Sequence, residues 1–471
     1  MDTRLTLMED DKEKLVDKIL CLRDENENLR QGNETLRQEN EALRKKIEEK
    51  TPKVPDKKLN FVKDRDRPGL PPHRWGRKGG HKGVTRAKPQ HVDREVSQTL
   101  SACPDCHHVL GASVGTTKHL QEDIIPAHVE VTRFLHHRYW CPGCKTVVTV
   151  PYAPDEVPYG YIGPRALATM VWMKFHLALP GNKIKAVLED FCGLAITEGA
   201  IHKALQRLAL HMGLEAQQVL EAVRSALIKH ADETGWTVNG VGHWLWSFLT
   251  RRFAYVKVDK SRGSKIPKAV LGDPFTGVMV SDFFSAYNKM SGRKQKCLVH
   301  LKREVRKAGD AFAQGPPGDF KEPDKRLKRL LADAERLADH RTHLPALTYA
   351  RRVRRIKDRL FTFATQVYSH KFWQRISARL LKHHQAIFTY LDVPGLPSDN
   401  NAAERSIKPH VIIRNRSFQN RTEKGANAHG TLSSILQSLL LQGRPVVKEL
   451  AAAYPLHRQG AGKPILFTST R

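Results

Sequence analysis

SALIKHADETGWTV, residues 225–238, opens the stretch of sequence that decides the fold. It reads as a β-strand carrying Asp232. Two further strand-like runs follow at once, HWLWSFLT (243–250) and RFAYVKVD (252–259), joined by a short turn at Arg251. β-Branched and aromatic residues bounded by turn signals are what a sheet selects. A helical piece around residues 267–271 precedes GVMVSDFF (277–284), a fourth strand ending at Asp282. A short helical stretch near Tyr287 then leads into KCLVHL (296–301), which reads as a fifth strand.

The resulting order, βββαβαβ, is that of the ribonuclease-H-like fold. It predicts Asp232 on the first strand and Asp282 at the end of the fourth, with both carboxylates at one edge of the sheet. Residues 301–390 read as a long, basic, helical stretch. Positions 301–360 alone hold 17 Lys and Arg against nine Asp and Glu, a net of +8. After it comes LPSDNNAAERSIKPHVIIRNRS (396–417). Ser398 or Asp399 can cap a helix there, with Glu404 one to two turns in. A third carboxylate returning to the two aspartates completes a set of hard oxygen donors suited to two Mg²⁺ (or Mn²⁺) ions about 3.5–4 Å apart. Such a pair stabilises the attacking and the leaving oxygen of a phosphodiester. Water attacks first and frees a 3′-OH, which then attacks a second DNA by the same in-line route. Arg405, Lys408, Arg414 and Arg416 follow the glutamate and are expected to face DNA phosphates, with Arg421 and Lys424 behind them.

Upstream of the sheet, residues 164–179 read as a buried helix. Segments 183–190 and 197–210 flank a Cys192-Gly193-Leu194 turn and resemble a helix-turn-helix, although plain core helices share that pattern. Further upstream lie two CxxC pairs, Cys103 with Cys106 and Cys141 with Cys144. Two thiolates three positions apart on a turn hold half of a tetrahedral zinc site, and a second pair supplies the other half. The intervening HVEVTRFLHHRYW (128–140) alternates like a strand, and His107, His108, His136 and His137 read as surface residues rather than ligands.

Residues 51–90 hold 12 Lys and Arg and three Asp, and their prolines and glycines exclude a continuous helix or strand. At the centre is HRWGRKGGHKG (73–83), where Arg74, Arg77, Lys78 and Lys82 can neutralise phosphates. The N-terminal segment repeats leucine every seventh residue: Leu15, Leu22, Leu29, Leu36 and Leu43 at d, with Ile19, Asn26, Asn33, Asn40 and Ile47 at a. This is a coiled-coil seam whose buried asparagines favour a parallel, in-register dimer. A basic leucine-zipper regulator is discounted, because there the basic helix precedes the zipper, whereas here the basic stretch follows it.

The whole chain has 471 residues, 79 Lys and Arg, 49 Asp and Glu, and a formal charge of +30. A polyanion such as nucleic acid is the partner such a charge suits. Acidic and basic residues throughout positions 1–14 argue against a secretory signal, and the longest apolar run, 166–179, is too short for a bilayer. No membrane association is expected. Seven cysteines, four of them in CxxC pairs, point to metal use in a reducing compartment. A cytoplasmic, nucleoid-associated protein is the expectation.

These residues together carry a family resemblance. The zipper, GGHKG (79–83), the CxxC pairs, HADET (230–234), SDFFSAYNKM (281–290), CLVH (297–300) and NNAAERSIKP (400–409) make the chain similar to bacterial DDE transposases of the insertion-sequence 66 family. The resemblance implies that Asp232, Asp282 and Glu404 are a catalytic triad binding Mg²⁺. It also implies that Cys103, Cys106, Cys141 and Cys144 hold the zinc of an end-recognition domain. Cys297 and His300 match a Cys-x2-His feature for which packing and catalytic roles both stand. The expected architecture is multidomain α/β. It comprises a leucine-zipper coiled coil (1–50), a basic linker (51–98), a zinc-binding domain (99–152) and a helical domain (153–215). A ribonuclease-H-like catalytic domain (216–440) with a helical insertion at about 301–390 follows, and then a loosely ordered C-terminal tail (441–471). Expected partners are the terminal inverted repeats of an element, target DNA, a second copy of the chain through residues 8–47, and accessory transposition proteins. The competing reading is a zinc-dependent dimeric DNA-binding regulator, which has no need of the three carboxylates.

Overall fold

The computed structural model describes residues 127–471, apart from 313–314, 418 and 468–471, together with scattered positions between residues 27 and 112. The chain divides into two compact units, Met1–Gln121 and Glu122–Arg471. In the first unit Glu27, Gln31, Gly32, Glu34, Thr35 and Gln38 are helical and exposed. All six fall outside the a and d positions of the heptad. The seam itself, and pairing through residues 8–47, lie outside the described residues. So do the whole 51–90 linker, with Arg74, Arg77, Lys78 and Lys82, and the thiols Cys103 and Cys106. Around that first CxxC, Ala102 and Val109 form an antiparallel bridge.

The second unit begins with a hairpin, β1 (Arg138–Cys141) and β2 (Thr146–Thr149), which brackets the second CxxC turn. The strand predicted over 128–140 is therefore confined to its last residues. Its partner is only four residues long and offers the ladder no more length.

Four helices follow: α1 (Pro164–Val171), α2 (Gly181–Cys192), α3 (Glu198–His211) and α4 (Gly213–Ser225). The single helix expected over 164–179 shifts at Trp172 into a π-helical turn, Trp172–His176, in which the Leu177 amide reaches back to the Trp172 carbonyl. α2 stops at Gly193, whose φ of +69° suits glycine. The Thr197 hydroxyl caps α3 by accepting from the Ala200 amide at 3.2 Å.

The central sheet has the order β5-β4-β3-β6-β7. Its strands are β3 (Ile228–Val238), β4 (Val241–Leu249), β5 (Ala254–Asp259), β6 (Val278–Ser281) and β7 (Arg293–Lys296). β3, β4 and β5 are antiparallel neighbours, while β6 runs parallel to β3 and β7 parallel to β6. Asn239 and Gly240, both at positive φ, make the two-residue turn between β3 and β4. α5 (Lys265–Leu271) crosses from β5 to β6, and α6 (Ser285–Asn288) lies between β6 and β7. Gly277 sets the entry to β6, since a Cβ there would stand 2.4 Å from the Leu227 carbonyl oxygen.

KCLVHL is not a strand. The fifth strand is RKQK (293–296), and Leu298 begins helix α7 (Leu298–Asp310). Gln295 and Lys296 sit fully buried in β7 because their polar ends find partners. The Gln295 amide nitrogen donates to the Ile387 carbonyl at 2.9 Å, and Lys296 Nζ donates to the Asp282 carbonyl at 2.7 Å.

The insertion continues with α8 (Gly318–Asp339), α9 (Ala346–Thr365), α10 (Lys371–Lys382) and α11 (His384–Ile387). Phe320, Leu331, Val353, Leu360 and Trp373 belong to a core that also takes in Val278 and Val280 of β6. α12 (Asn401–Ser417) then returns to the sheet, followed by α13 (Glu423–Leu441) and α14 (Val446–Arg458). α13 covers the outer edge of β5. Ser434 Oγ accepts from the Val256 amide and Ser438 Oγ from the Ala254 amide, which closes an edge otherwise open to pairing. Gly430 allows that approach, since a Cβ there would lie 2.9 Å from the Val256 carbonyl oxygen.

Residues 446–467 of the tail beyond Leu441 are not loosely ordered. Val446, Leu450, Ala453 and Tyr454 on α14, with Leu466 and Phe467 after it, are buried in one core with α1, α3 and α13. Apolar residues at i, i+4, i+7 and i+8 form that face, although Gly, Pro and Ala surround it in the sequence. No helix among the described residues is long and apolar enough to cross a membrane.

Candidate active site

Asp232 lies on β3 opposite Ser247 of β4. On its other side β3 runs in register with β6, His230 beside Val280. Asp232 and Asp282 are therefore each two residues beyond that pair, on the same face. Asp232 Oδ1 accepts from the Glu233 amide at 2.9 Å. Burial first, then the charge of Glu233, with Asp282 and Glu404 adding to it, pushes the Asp232 carboxyl up to about 7. Asp282 stands just past the end of β6. Its Oδ1 accepts from the Phe284 amide at 2.9 Å, and Lys296 holds its carbonyl from below. Burial pulls that ammonium down to about 7.

Glu404 occupies the first turn of α12, and that helix start is pinned to β3. Asn400 is fully buried. Its Nδ2 donates to the Ala231 carbonyl at 2.9 Å, its Oδ1 lies 3.0 Å from His230 Nδ1, and its amide donates to Cys297 Sγ at 3.2 Å. Because Nδ2 is the donor to Ala231, Oδ1 must accept, and the His230 proton sits on Nδ1. Burial keeps that ring neutral by lowering its pKa. Cys297 thus has a packing role at the helix start. The expected cap at Ser398 or Asp399 falls instead on Asn400, whose carbonyl takes the first helical bonds, while Asp399 Oδ1 accepts from the Asn401 amide at 2.9 Å and closes the turn just ahead of the helix. Glu404 itself lies 3.6 Å from His300 Nε2 and 3.9 Å from Arg303 Nη2, both on α7.

A second carboxylate, overlooked in the sequence, lies beside Asp232. Glu233 is 3% exposed and accepts from the Tyr287 hydroxyl at 2.6 Å and from Arg262 Nη2 at 3.0 Å. The Arg262 guanidinium stacks on the rings of Trp244 and Phe284 at 4.0 and 4.2 Å. The DE doublet in HADET was the available signal.

A buried polar chain joins Asp232's cross-strand neighbour to α12 and α13. Ser247 Oγ meets Ser406 Oγ at 2.9 Å, and Ser406 Oγ donates to Gln437 Oε1 at 2.7 Å. Gln437 Nε2 reaches His410 Nε2 at 2.8 Å, and His410 Nδ1 reaches His429 Nε2 at 2.9 Å. Only one proton order satisfies it: Gln437 donates, so His410 carries its proton on Nδ1 and passes the bond on to His429. Burial lowers His410 to about 4 and His429 well below its usual range, so both rings are neutral.

The predicted phosphate contacts separate into two kinds. Arg405 and Lys408 are exposed and line a cleft of about 410 Å³ with Asn401, Glu404, Ile407 and Val411. Arg414 turns inward instead, donating to Thr234 Oγ1 at 3.0 Å and the Gly235 carbonyl at 2.6 Å. Arg416 is exposed, with Nη1 3.4 Å from the Leu177 carbonyl. At the second CxxC, the Cys144 amide donates to Cys141 Sγ at 3.5 Å, and that bond leads in lowering the Cys141 thiol pKa, as a metal-binding knuckle requires. His136 pairs with Glu156 at 2.8 Å, whereas His107, His108 and His137 are exposed.

The donor set around Asp232 suits a hard divalent cation. It consists of carboxylates whose charges, after burial, raise the Asp232 pKa, and Glu404 Oε1 is buried without a hydrogen-bond partner. The three side chains nonetheless do not converge as a ready coordination group: among the described residues no three His, Cys, Asp or Glu stand close enough to hold an ion. Glu404 is turned toward His300 and Arg303.

A family model described as "Transposase IS66 family" matches residues 159–428, more than half of the chain. A second, described as "zinc-finger binding domain of transposase IS66", matches residues 101–145, which include all four CxxC cysteines. The chain is 23% identical over 389 residues to uncharacterized protein y4jD of Sinorhizobium fredii, an alignment covering 75% of each chain. It is 21% identical over 436 residues to y4qI of the same organism, covering 83% of this chain and 78% of the relative.

Proposed function

The chain belongs to the IS66 family of transposases, and from that premise we propose that it cuts DNA at element ends and joins the freed 3′-OH to target DNA. We take Asp232, Asp282 and Glu404 as the acidic triad. The observation that carries this reading is the matched position of Asp232 on β3 and Asp282 just past the end of the neighbouring parallel strand β6, with Glu404's helix pinned to β3 by Asn400. The strand order supports a ribonuclease-H-like catalytic domain over about 216–440, interrupted by the helical insertion.

Magnesium or manganese, when bound there as two ions, would stabilise both the attacking and the leaving oxygen of an in-line displacement. The chain's own part is to hold and aim. Asp232 and Asp282 supply carboxylate oxygens from fixed backbone. Asn400 sets where α12 begins, and Glu404 must leave His300 and Arg303 to join them. Arg405 and Lys408 bind phosphates beside the cleft, and Arg416 extends that basic side. Arg414 positions α12 on β3. Zinc on Cys103, Cys106, Cys141 and Cys144 would complete the N-terminal recognition module, together with the basic linker. The heptads of residues 8–47 pair two chains.

Asp232→Asn removes a ligand charge while preserving shape. Strand cleavage of an element-end duplex with Mg²⁺ is expected to fall about 10³-fold or more, with binding of the same duplex unchanged. Cleavage at the unaltered rate would remove the triad assignment.

A further inference from the structure

Within the insertion, α8 and α9 lie antiparallel around the turn Arg341–His343. Between them runs a cleft of about 380 Å³. Asp333 and Arg336 of α8, with His340 at its C-terminal cap, line one wall, and Arg352, Arg355 and Arg359 of α9 the other. On each helix the spacing is i, i+3, i+7, one face of an α-helix. Leu337 and Ile356 form the floor, both buried. Four guanidinium groups thus converge on one apolar-floored groove containing a single carboxylate. Asp333 is already shared, by Arg336 and by Arg359 at 2.8 Å. Arg352 and Arg355 are exposed and have no ion pair or hydrogen bond among the described residues.

A merely solvated charged face would spread like charges apart, because unpaired guanidinium groups repel one another. Here they are gathered from two helices into a concavity. Arginine's planar fork matches phosphate oxygens two at a time, and a duplex presents a regular row of such groups. The groove is also tied to the active-site side of the insertion. Glu335, between Asp333 and Arg336, takes the ammonium of Lys302, and Lys302 lies between His300 and Arg303, which face Glu404.

We propose that this groove binds the sugar–phosphate backbone of double-stranded DNA, away from the scissile bond and without regard to sequence. The inference rests on the reading of the chain as a DNA-transposing enzyme and names a contact surface for it. DNA that reaches the carboxylates is thereby held at a second point.

The test uses the full-length protein and two labelled duplexes, one of mixed sequence and one carrying the element's terminal repeat, with anisotropy followed across a salt series. Arg352→Gln/Arg355→Gln is expected to reduce the slope of log affinity against log salt by about 2 on both duplexes. Arg351→Gln/Arg354→Gln removes the same charge from the same helix outside the groove and should leave the slope as it was. Equal losses in the two variants would mean that net charge alone acts, and would overturn the groove. So would a loss confined to the terminal-repeat duplex, or no loss at all. Cleavage by the groove variant, measured at saturating DNA, separates this outcome from failure of the carboxylate reading, which Asp232→Asn addresses.

Discussion

At the sheet edge the carboxylate of Glu233 is 3% exposed and filled by Tyr287 and Arg262, whereas on the insertion the Arg336 side chain is 70% exposed and shares one aspartate with Arg359. Burial moves Asp232 and Lys296 to about 7. The two regions use charge for different ends. A few groups taken out of water have their protonation and direction dictated by neighbours, which is what chemistry on a phosphodiester needs. Many groups left in water set how strongly and how salt-dependently a polyanion is held. Removing a group of the first kind should therefore cost fold and activity together, while removing one of the second kind should cost little stability.

The sharpest test of that contrast is Asn400→Ala. It strips partners from the Ala231 carbonyl and from His230, both buried beside Asp232, and is expected to destabilise the protein by about 3 kcal/mol. Cleavage should fall with it, because Glu404's helix loses its anchor. A urea midpoint equal to that of the unaltered protein would show that α12 is held by packing alone.

Acid should break the same region next. His410 titrates near 6.5 when unfolded and at about 4 when folded. Between those values the unfolded chain takes up a proton that the folded chain refuses, so stability is complete above about pH 6.5 and is lost as pH falls toward about 4. His410 alone accounts for a loss of about 3 kcal/mol across that window. Asp232, raised to about 7, works the other way over this range, gaining stability as pH falls. The test is therefore the difference between proteins: the urea midpoint of His410→Gln should lose less on acidification than that of the unaltered protein, and equal pH dependence in the two would contradict the neutral ring chain.

The smallest effect belongs to the insertion. Lys302→Gln breaks an exposed pair with Glu335 and should change stability by no more than about 1 kcal/mol. A loss as large as that of Asn400→Ala would erase the distinction between the two regions.

The sequence made the first four strands legible because they alternate or run apolar between clear turns, with Asp232 within the first and Asp282 just past the fourth. β7 escaped because RKQK has no apolar pattern; its burial depends on carbonyls from distant residues such as Ile387 and Asp282. Asn400 and Glu233 were visible as letters but not as roles, since their partners lie far away in sequence. Arg414 read as one more phosphate contact because sequence shows charge and not direction. α14 was hidden for a related reason: its apolar face makes sense only against α1 and α3, more than 200 residues earlier.

That last packing bears on how the protein is made. Glu215, on α4, has a buried carboxylate that accepts from the Leu466 amide at 2.9 Å and meets His457 Nε2 at 2.9 Å. The helices that emerge early from the ribosome thus keep a charged, apolar-rimmed vacancy until residues 446–467 arrive. A message cut or frameshifted before that point yields a chain with its three acids present and its core unsealed. Such chains should be cleared by proteases, so that few partial products survive to occupy DNA in place of the finished protein.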